Sequence, residues 1–96
     1  MTYINKLIVL FDFRGKSRQE SRLDYIARSV RELKAKALAL HVDIVEVSGT
    51  LLGKDVDMLQ RELKIAPVSK TPVEKTNYSF TFVIPINNFL PNSSSE

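Results

Sequence analysis

Cysteine is absent from this 96-residue chain, and its absence removes several classes of protein. Without thiols there is no disulfide framework and no thiolate metal site. An intracellular protein fits such a composition best, so we expect a cytoplasmic location. The single histidine, His41, has no second imidazole with which to share a zinc ion, and we interpret it as a helix-end residue. Zinc sites and hydrolase triads are therefore not indicated.

Long apolar runs are also missing. No stretch approaches the roughly 18 residues of a membrane span, so no membrane partner is expected. The start, MTYINKLIVLFDF, imitates a secretory leader in part, but Asp12 and Arg14 stand where small residues would allow cleavage, so we expect no targeting signal. The 44% of hydrophobic residues suffices for one globular domain over residues 1–90, and the tail PNSSSE at 91–96 has a disordered composition.

The charges that are present are unevenly distributed. Residues 1–41 hold nine of the fourteen basic residues but only four of the eleven acidic ones, which gives a net charge of +5. The remainder of the chain has a net charge of −2. A basic half beside a faintly acidic half predicts a basic patch that attracts polyanions such as nucleic acid. The alternative is a solvated helix that is basic without a binding role.

The first half of the chain predicts a strand followed by a long helix. The stretch INKLIVLFDF, residues 4–13, is apolar on both faces, which is typical of a strand that is buried on both sides and central in its sheet. Ser17 and Glu20 match the S-x-x-E capping box that starts a helix. Apolar residues then recur at intervals of three and four up to Leu40, so we expect the helix to end near His41.

The second half predicts two more strands around a second helix. VDIVEV at 42–47 indicates a strand, TLLG at 50–53 a short strand or a loop, and Asp55 the cap of a helix. The stretch PVSKTPVEKTN is expected to be an exposed connector. YSFTFVIPI at 78–86 alternates as the last strand, and Pro85 indicates either an edge position or an end of pairing. The favoured fold places this strand at an edge.

These elements predict an α+β fold. The order β-α-β-(β)-α-β favours a ferredoxin-like βαβ(β)αβ sandwich, in which one sheet carries two helices on one face. A three-stranded βαβαβ sheet is the alternative. In both arrangements a polar turn connects the first strand to the first helix, and the candidate site lies in that turn.

The turn between the first strand and the first helix is the candidate anion site. Its residues are Arg14, Gly15, Lys16, Ser17 and Arg18. We expect free backbone donors and the positive end of a helix dipole to converge there, and Gly15 to let the backbone curl round a phosphate. The triplet GKS does not belong to a nucleotide-binding P-loop, because a leucine stands where that motif needs its first glycine. ATP and GTP are therefore excluded.

Two further arginines extend the basic character along the first helix. Arg22 and Arg28 join Arg14, Lys16 and Arg18 as the predicted nucleic-acid-binding residues. Contacts between these cations and phosphates would make binding strongly salt-dependent. Acidic residues alternate with the cations of the helix, which is also typical of a helix face that only provides solubility.

Asp12 is the candidate catalytic and metal-binding residue. It lies at the carboxyl end of the predicted first strand, where a carboxylate is able to hold a divalent metal. Mg²⁺ is the cofactor considered, and only for a catalytic protein. The structural alternative is an ion pair between Asp12 and Arg14 or Arg18.

LIVLFDF with its aspartate, the arginine-bearing helix, VDIVEV and the second helix together resemble the small CRISPR-associated adaptation nucleases and the related VapD ribonucleases. The resemblance covers about residues 4–87 as an order of elements. It implies a ferredoxin-fold homodimer in which Asp12 faces the dimer mate and binds a metal. The family's glutamine-serine-valine-phenylalanine stretch in the second strand is replaced here by IVEVSGT, and the first helix is longer than in the family.

Two functions are compatible with these patterns. In the first, a small homodimeric protein contacts nucleic-acid phosphates through the cations of the turn and the first helix, with or without weak metal-dependent cleavage at Asp12. In the second, the same fold is a non-catalytic protein-interaction regulator of the phage, plasmid or antitoxin type. Its binding surface would be the edge of the last strand and the connector at 67–77. We favour the first and expect no efficient enzyme.

Overall fold

The computed structural model describes residues 5–90, which form one four-stranded mixed sheet with two helices on one face. The elements are β1 (Lys6–Leu10), α1 (Arg22–Leu40), β2 (Ile44–Leu52), α2 (Gly53–Leu63), β3 (Ser69–Glu74), β4 (Asn77–Pro85) and a final 3-10 turn (Ile86–Phe89). This α+β sandwich confirms the ferredoxin-like fold class, although the strand order along the chain differs from the prediction. Ile4 and the predicted disordered tail at 91–96 lie outside the described residues. None of the described helices is long and apolar enough to cross a membrane.

β1 is an edge strand, so its predicted central position is wrong. The sheet order is β1-β2-β4-β3, with β1 parallel to β2 and the other neighbours antiparallel. Leu7 and Val9 pack against the core, but Ile8 and Leu10 are 66% and 68% exposed on the opposite face. Apolar residues on both faces of a strand indicate that other side chains bury both faces. The sequence pattern does not say whether those side chains belong to the same chain or to a partner.

β4 lies inside the sheet, so the predicted edge position of the last strand is wrong. Pro85 is the final residue of β4 and pairs with Ile44, the first residue of β2, so its missing N–H affects only the end of the ladder. The other neighbour of β4 is β3, which the sequence predicted as a connector. All six residues of β3 are exposed, and its sequence, SKTPVE, does not alternate between apolar and polar residues. Alternation is the pattern from which a strand is predicted, so this strand was missed. TLLG is the end of β2 and the first residue of α2.

The core lies between the two helices and one face of the sheet. Alternate residues of the two inner strands point to that face, and both helices pack on them. The buried residues of these elements are Val45, Val47, Leu51, Phe80, Phe82, Ile84, Ile26, Ala37, Val56, Leu59 and Leu63. The opposite face carries none of the described helices, and its residues, among them Glu46, Thr81 and Val83, are only partly buried. Ile8 and Leu10 lie on this uncovered face.

α1 begins one turn later than predicted. Its N-cap is Ser21, whose Oγ accepts a hydrogen bond from the backbone N–H of Asp24 at 3.0 Å. Ser17 and Glu20 do interact, since the Ser17 N–H donates to Oε1 of Glu20 at 3.3 Å, but they close a separate turn before the helix. The helix ends as predicted at His41, which adopts the left-handed conformation with a φ of 56°.

α2 begins three residues earlier than predicted. Leu52 occupies the cap position without a side-chain hydrogen bond, and Asp55 lies in the first turn, where its side chain is buried. The prediction that Asp55 caps the helix is therefore wrong. The helix ends before Lys64, which is also left-handed with a φ of 62°.

Candidate functional site

Asp12 lies in the segment that follows β1 and is paired with Arg14. Its Oδ1 accepts a hydrogen bond from the backbone N–H of Arg14 at 3.0 Å, and its Oδ2 accepts one from Nε of Arg14 at 2.9 Å. The Arg14 guanidinium beside Asp12 holds the pKa of that carboxyl below its usual value. This geometry is the ion pair that the sequence left open as the alternative to a metal site.

The residues around Asp12 do not fit a Mg²⁺ ion. Mg²⁺ in proteins needs several oxygen ligands in octahedral geometry, usually with more than one carboxylate or phosphate in reach. Within residues 5–90 no group of three or more His, Cys, Asp or Glu side chains is placed to hold a metal. Both oxygens of Asp12 are also occupied by Arg14. We therefore assign no metal-dependent step to Asp12.

Arg22 is paired with a buried carboxylate. Its Nε donates to Oδ2 of Asp55 at 3.2 Å, and the Asp55 side chain is only 1% exposed. The guanidinium also lies over the ring of Phe13, 4.8 Å from its centroid. Because an unpaired buried charge is strongly unfavourable, Arg22 is held by Asp55 and is poorly suited to bind a phosphate instead.

Arg28 is paired with two carboxylates. Its Nε donates to Oε2 of Glu20 at 2.8 Å, and its Nη1 donates to Oε2 of Glu32 at 3.3 Å. The Arg28 guanidinium lowers the pKa of Glu20 to about 2. Arg28 also lies over the ring of Tyr25, 5.0 Å from its centroid. Its contacts thus bind the segment after β1 to α1.

The remaining two predicted cations are less constrained. Lys16 donates from Nζ to the backbone carbonyl of Ser17 at 3.1 Å, and Arg18 is exposed and pairs with no described carboxylate. The predicted convergence of this turn with a helix N-terminus is wrong, because α1 begins only at Arg22. Gly15 does not adopt the left-handed backbone conformation that would help the turn curl round a phosphate. A Cβ at this position would lie 3.0 Å from Oη of Tyr25, so the glycine is explained by the close approach of that side chain.

Three aromatic rings join the end of β1 to α1. Phe11, Phe13 and Tyr25 lie with their ring centroids 5.5–5.8 Å apart, and Phe11 is buried. Arg22 and Arg28 lie over two of these rings. The group fixes the segment after β1 and leaves no open stacking platform for bases. The alternation of Phe11 and Phe13 in the sequence was visible, but their contact with Tyr25 depends on the tertiary fold.

A groove lies between the end of β1 and α1. Its cavity has a volume of about 250 Å³ and an apolar floor formed by residues such as Val9, Phe11, Val30 and Leu33. Polar side chains lie at its rim, and these are Asp12, Ser29, Glu32 and Lys36. The groove therefore runs beside the edge strand and combines an apolar floor with a rim of mixed charge.

The outer edge of β1 presents unpaired backbone groups. The Phe11 N–H donates to the Ser48 carbonyl at 2.8 Å, and the Asn5 carbonyl accepts from the Ile44 N–H at 3.2 Å, so the odd-numbered residues face β2. Backbone groups alternate in direction along a parallel strand. The N–H and C=O groups of Lys6, Ile8 and Leu10 consequently point outward, where no described strand lies.

The interaction surface predicted from the sequence is only partly available. The last strand has neighbours on both sides, so its edge is not open. The stretch at 67–77 does offer an edge, but as the strand β3 rather than as a connector. The open edge of β1 was missed, because the two-sided apolar pattern was attributed to burial inside the sheet.

No family model, no curated protein and no solved structure matches this chain. The resemblance to the small CRISPR-associated adaptation nucleases and VapD ribonucleases therefore stays a prediction. It depends on Asp12, which is paired with Arg14, and on an order of elements that differs from the observed one after α2.

Proposed function

We propose that the protein is a non-enzymatic interaction module that binds an extended partner strand along the open edge of β1. The observation that carries the proposal is the two-sided apolar character of an edge strand whose outward backbone groups have no described partner. An extended segment that adds to a sheet edge gains affinity from main-chain hydrogen bonds and specificity from pockets for alternate side chains. Such a module fits the regulator that the sequence offers as its second function, acting in the cytoplasm.

The groove beside β1 supports this proposal. Alternate side chains of an added strand would point to the helix side of the sheet, which is the side on which the groove lies. A volume of about 250 Å³ is below the range of about 300–1,000 Å³ that holds drug-sized ligands. The groove thus suits apolar side chains of a strand better than a whole small molecule. Its floor favours a partner with alternating apolar residues.

The test uses a defined strand as the probe. A fluorescent eight-residue peptide of alternating valine and threonine, closed by lysines, is titrated into dilute full-length protein and followed by anisotropy. Ile8→Pro removes an outward N–H without removing a bond to β2, so we expect it to weaken peptide binding at least about tenfold. Ile8→Lys serves as a second variant if the proline variant does not fold.

The matched control is Val73→Lys, which changes a half-exposed apolar residue on the other edge strand. We expect Val73→Lys to bind the peptide as the natural sequence does. Hydrogen exchange is measured in parallel, and slower exchange at Lys6, Ile8 and Leu10 supports the proposal. Equal binding by all variants, or protection confined to β3, would show that β1 is not the docking edge.

Nucleic-acid binding is the second candidate function, and it depends on the cations that remain free. Lys16 and Arg18 in the turn, and Arg31 and Lys34 on α1, pair with no described carboxylate. Gel shifts with single- and double-stranded RNA and DNA test it. Binding should weaken several-fold between low and physiological salt and be lost in Lys16→Glu/Arg18→Glu.

The control for charge alone is Lys64→Glu/Lys75→Glu, which makes the same change in net charge in the acidic half of the chain. If both double variants weaken binding equally, attraction is general and the turn is not a site. If no shift appears even at low salt, the nucleic-acid candidate is rejected.

A further inference from the structure

We infer that the strand which occupies the open edge of β1 is β1 of a second copy of this chain, paired antiparallel about a twofold axis at Ile8. The inference rests on the proposed function, because it names the occupant of the same edge. It would join the sheets of two protomers into one continuous sheet of eight strands, with β3 at each end.

The register of this pairing follows from the direction of the backbone groups. Lys6, Ile8 and Leu10 point outward, so only registers that place these residues opposite one another form hydrogen bonds. The register centred on Ile8 pairs Ile8 with its copy and Lys6 with Leu10, which engages all three residues from both strands. Centring on Leu7 or Val9 leaves one of the three without a partner inside the strand. The pairing centred on Ile8 is therefore the most complete one.

The same register covers the exposed apolar side chains. On the uncovered face, Ile8 lies beside Ile8 of the second copy, and Leu10 lies beside the aliphatic stem of Lys6. In the monomer Ile8 and Leu10 are 66% and 68% exposed. On the helix face, Leu7 and Val9 of the two copies form the close, non-hydrogen-bonded pairs next to the grooves. A second copy thus supplies the alternating apolar strand that the groove favours.

The charges at the rim of the groove are self-complementary. Glu32 and Lys36 lie one turn apart on α1, and both line the groove beside β1. Glu32 accepts a hydrogen bond from Arg28 of its own copy at 3.3 Å, but its side chain is 67% exposed. A twofold axis reverses the direction of the second helix, so each Glu32 would also face Lys36 of the other copy. An unrelated partner strand would have no such fixed relation to both charges. This symmetry is what favours a second copy over another protein.

Cysteine cross-linking tests the register, since the natural chain has no cysteine. A hydrogen-bonded antiparallel pair has Cα atoms about 5.5 Å apart, which is within disulfide range. Ile8→Cys should cross-link to itself under mild oxidation at protein concentrations that favour association. Leu10→Cys should not, because its copies are separated by four residues, but mixing Leu10→Cys with Lys6→Cys should give the cross-linked heterodimer.

Sedimentation tests the association itself. We expect the full chain to change from one to two copies of its 10.9 kDa mass as its concentration rises over about two orders of magnitude. Ile8→Lys and Ile8→Glu should each be monomeric because like charges would face one another, and their mixture should dimerise. Glu32→Lys should weaken the dimer and Glu32→Lys/Lys36→Glu should restore it. Val73→Lys is the control that should dimerise normally.

The outcomes separate the dimer from the proposed function. A chain that stays monomeric at every concentration but binds the strand peptide at β1 overturns the dimer and leaves the proposed function standing. A dimer that cross-links through Leu10→Cys alone overturns the register. A chain that neither dimerises nor binds the peptide overturns both.

Discussion

The two edges of the sheet differ in how they are protected. β3 contains Pro72, which cannot donate a hydrogen bond, and Lys70, and its pairing is irregular between Pro72 and Glu74. Proline, lysine and bulges are the features by which natural proteins prevent sheet edges from pairing with other chains. β1 has one charged residue, Lys6 at its start, which is paired with Glu46 at 3.2 Å, as Lys70 of β3 is paired with Asp57 at 3.3 Å. The two edges therefore differ in the proline and the irregular pairing, which β1 does not have. The rest of β1 is apolar.

The difference indicates that pairing is directed to one edge. A protein with two open edges would form extended assemblies, whereas one open and one protected edge allow closed dimers. Because β3 is protected against pairing, the lack of protection at β1 is not a general property of this sheet. The exposed apolar edge of β1 is therefore better explained as a binding surface.

The two edges are also attached to the fold differently. β3 is joined to β4 by the short turn at Lys75 and Thr76, so chain connectivity keeps it in place. β1 has no such hairpin, since it pairs in parallel with a strand that lies beyond α1. Besides its pairing with β2, β1 is attached through the segment that follows it, where the aromatic group and the two arginines stacked on it contact α1.

The largest expected effect is the loss of Arg22. Arg22→Ala leaves the buried Asp55 carboxylate without its cation, and we expect a loss of about 3 kcal/mol in the free energy of unfolding, measured in urea. Arg14→Ala is the control, because that ion pair is exposed on the arginine side (83%) and its loss should change the free energy of unfolding far less. Equal losses in the two variants would contradict a special role for Asp55.

Gly49→Ala should have the next largest effect. A Cβ at Gly49 would lie 2.5 Å from the backbone carbonyl oxygen of Phe11, so β1 and β2 would have to separate at that end. We expect a loss of about 1–3 kcal/mol in the free energy of unfolding and faster amide exchange in β1 than in β3. Gly53→Ala is the control, because its added Cβ meets only the ring of Tyr78 at 3.0 Å, which is able to move.

Removing the protection of β3 should change assembly more than stability. Lys70→Val/Pro72→Thr makes β3 more like β1, and we expect the free energy of unfolding to change by about 1 kcal/mol or less. Light scattering should then detect assemblies larger than the dimer. Adding Ile8→Lys to the same variant should limit the growth to pairs joined through β3. Dimers alone in the first variant would show that β3 is blocked by something other than these two residues.

The smallest expected effect is an acid dependence confined to the β1 side. The folded pKa of Glu20 is about 2 against an ordinary value of 4.5, so the unfolded chain takes up this proton first as the pH falls. The stabilisation is complete above about pH 4.5 and is lost progressively towards pH 2. Amide exchange should show β1 loosening before β3 over this interval.

Arg28→Gln tests the cause of that dependence. It removes the cation that lowers the pKa of Glu20, so the acid dependence of stability should become shallower. Arg31→Gln, which removes a neighbouring arginine without a described carboxylate partner, should keep the original dependence. Identical curves for both variants would mean that other carboxylates dominate the acid response.

The sequence predicted local structure well where periodicity was strong. The apolar stripe of α1 and the alternation of β4 were recognised because each depends on residues a few positions apart. The lateral order of the strands was not recoverable in the same way. The apolar residues on both faces of β1 were interpreted as burial inside the sheet, but β1 is an edge strand with one apolar face exposed. Pro85 was interpreted as support for an edge strand, but it stands at the end of the pairing of an inner strand.

The candidate site was predicted less well than the fold. The sequence proposed five cations as a binding site. It gave no sign that Asp55, 33 residues away, pairs with Arg22, or that Glu20, eight residues away, pairs with Arg28. Charge counts along the sequence do not distinguish a free cation from a paired one. Two pairings were close enough in sequence to be foreseen: Asp12 with Arg14, two residues apart, and Arg28 with Glu32, four residues apart on α1.

Asp55 has a consequence for how the two helices meet. Its Oδ2 is held by Arg22 while Oδ1, within the described part of the chain, has no donor. Two helices in contact only through aliphatic side chains are able to rotate or slide against each other at little energetic penalty, but an oriented carboxylate tolerates few such shifts. The ion pair between Arg22 and Asp55 therefore fixes how the beginnings of α1 and α2 are rotated relative to each other.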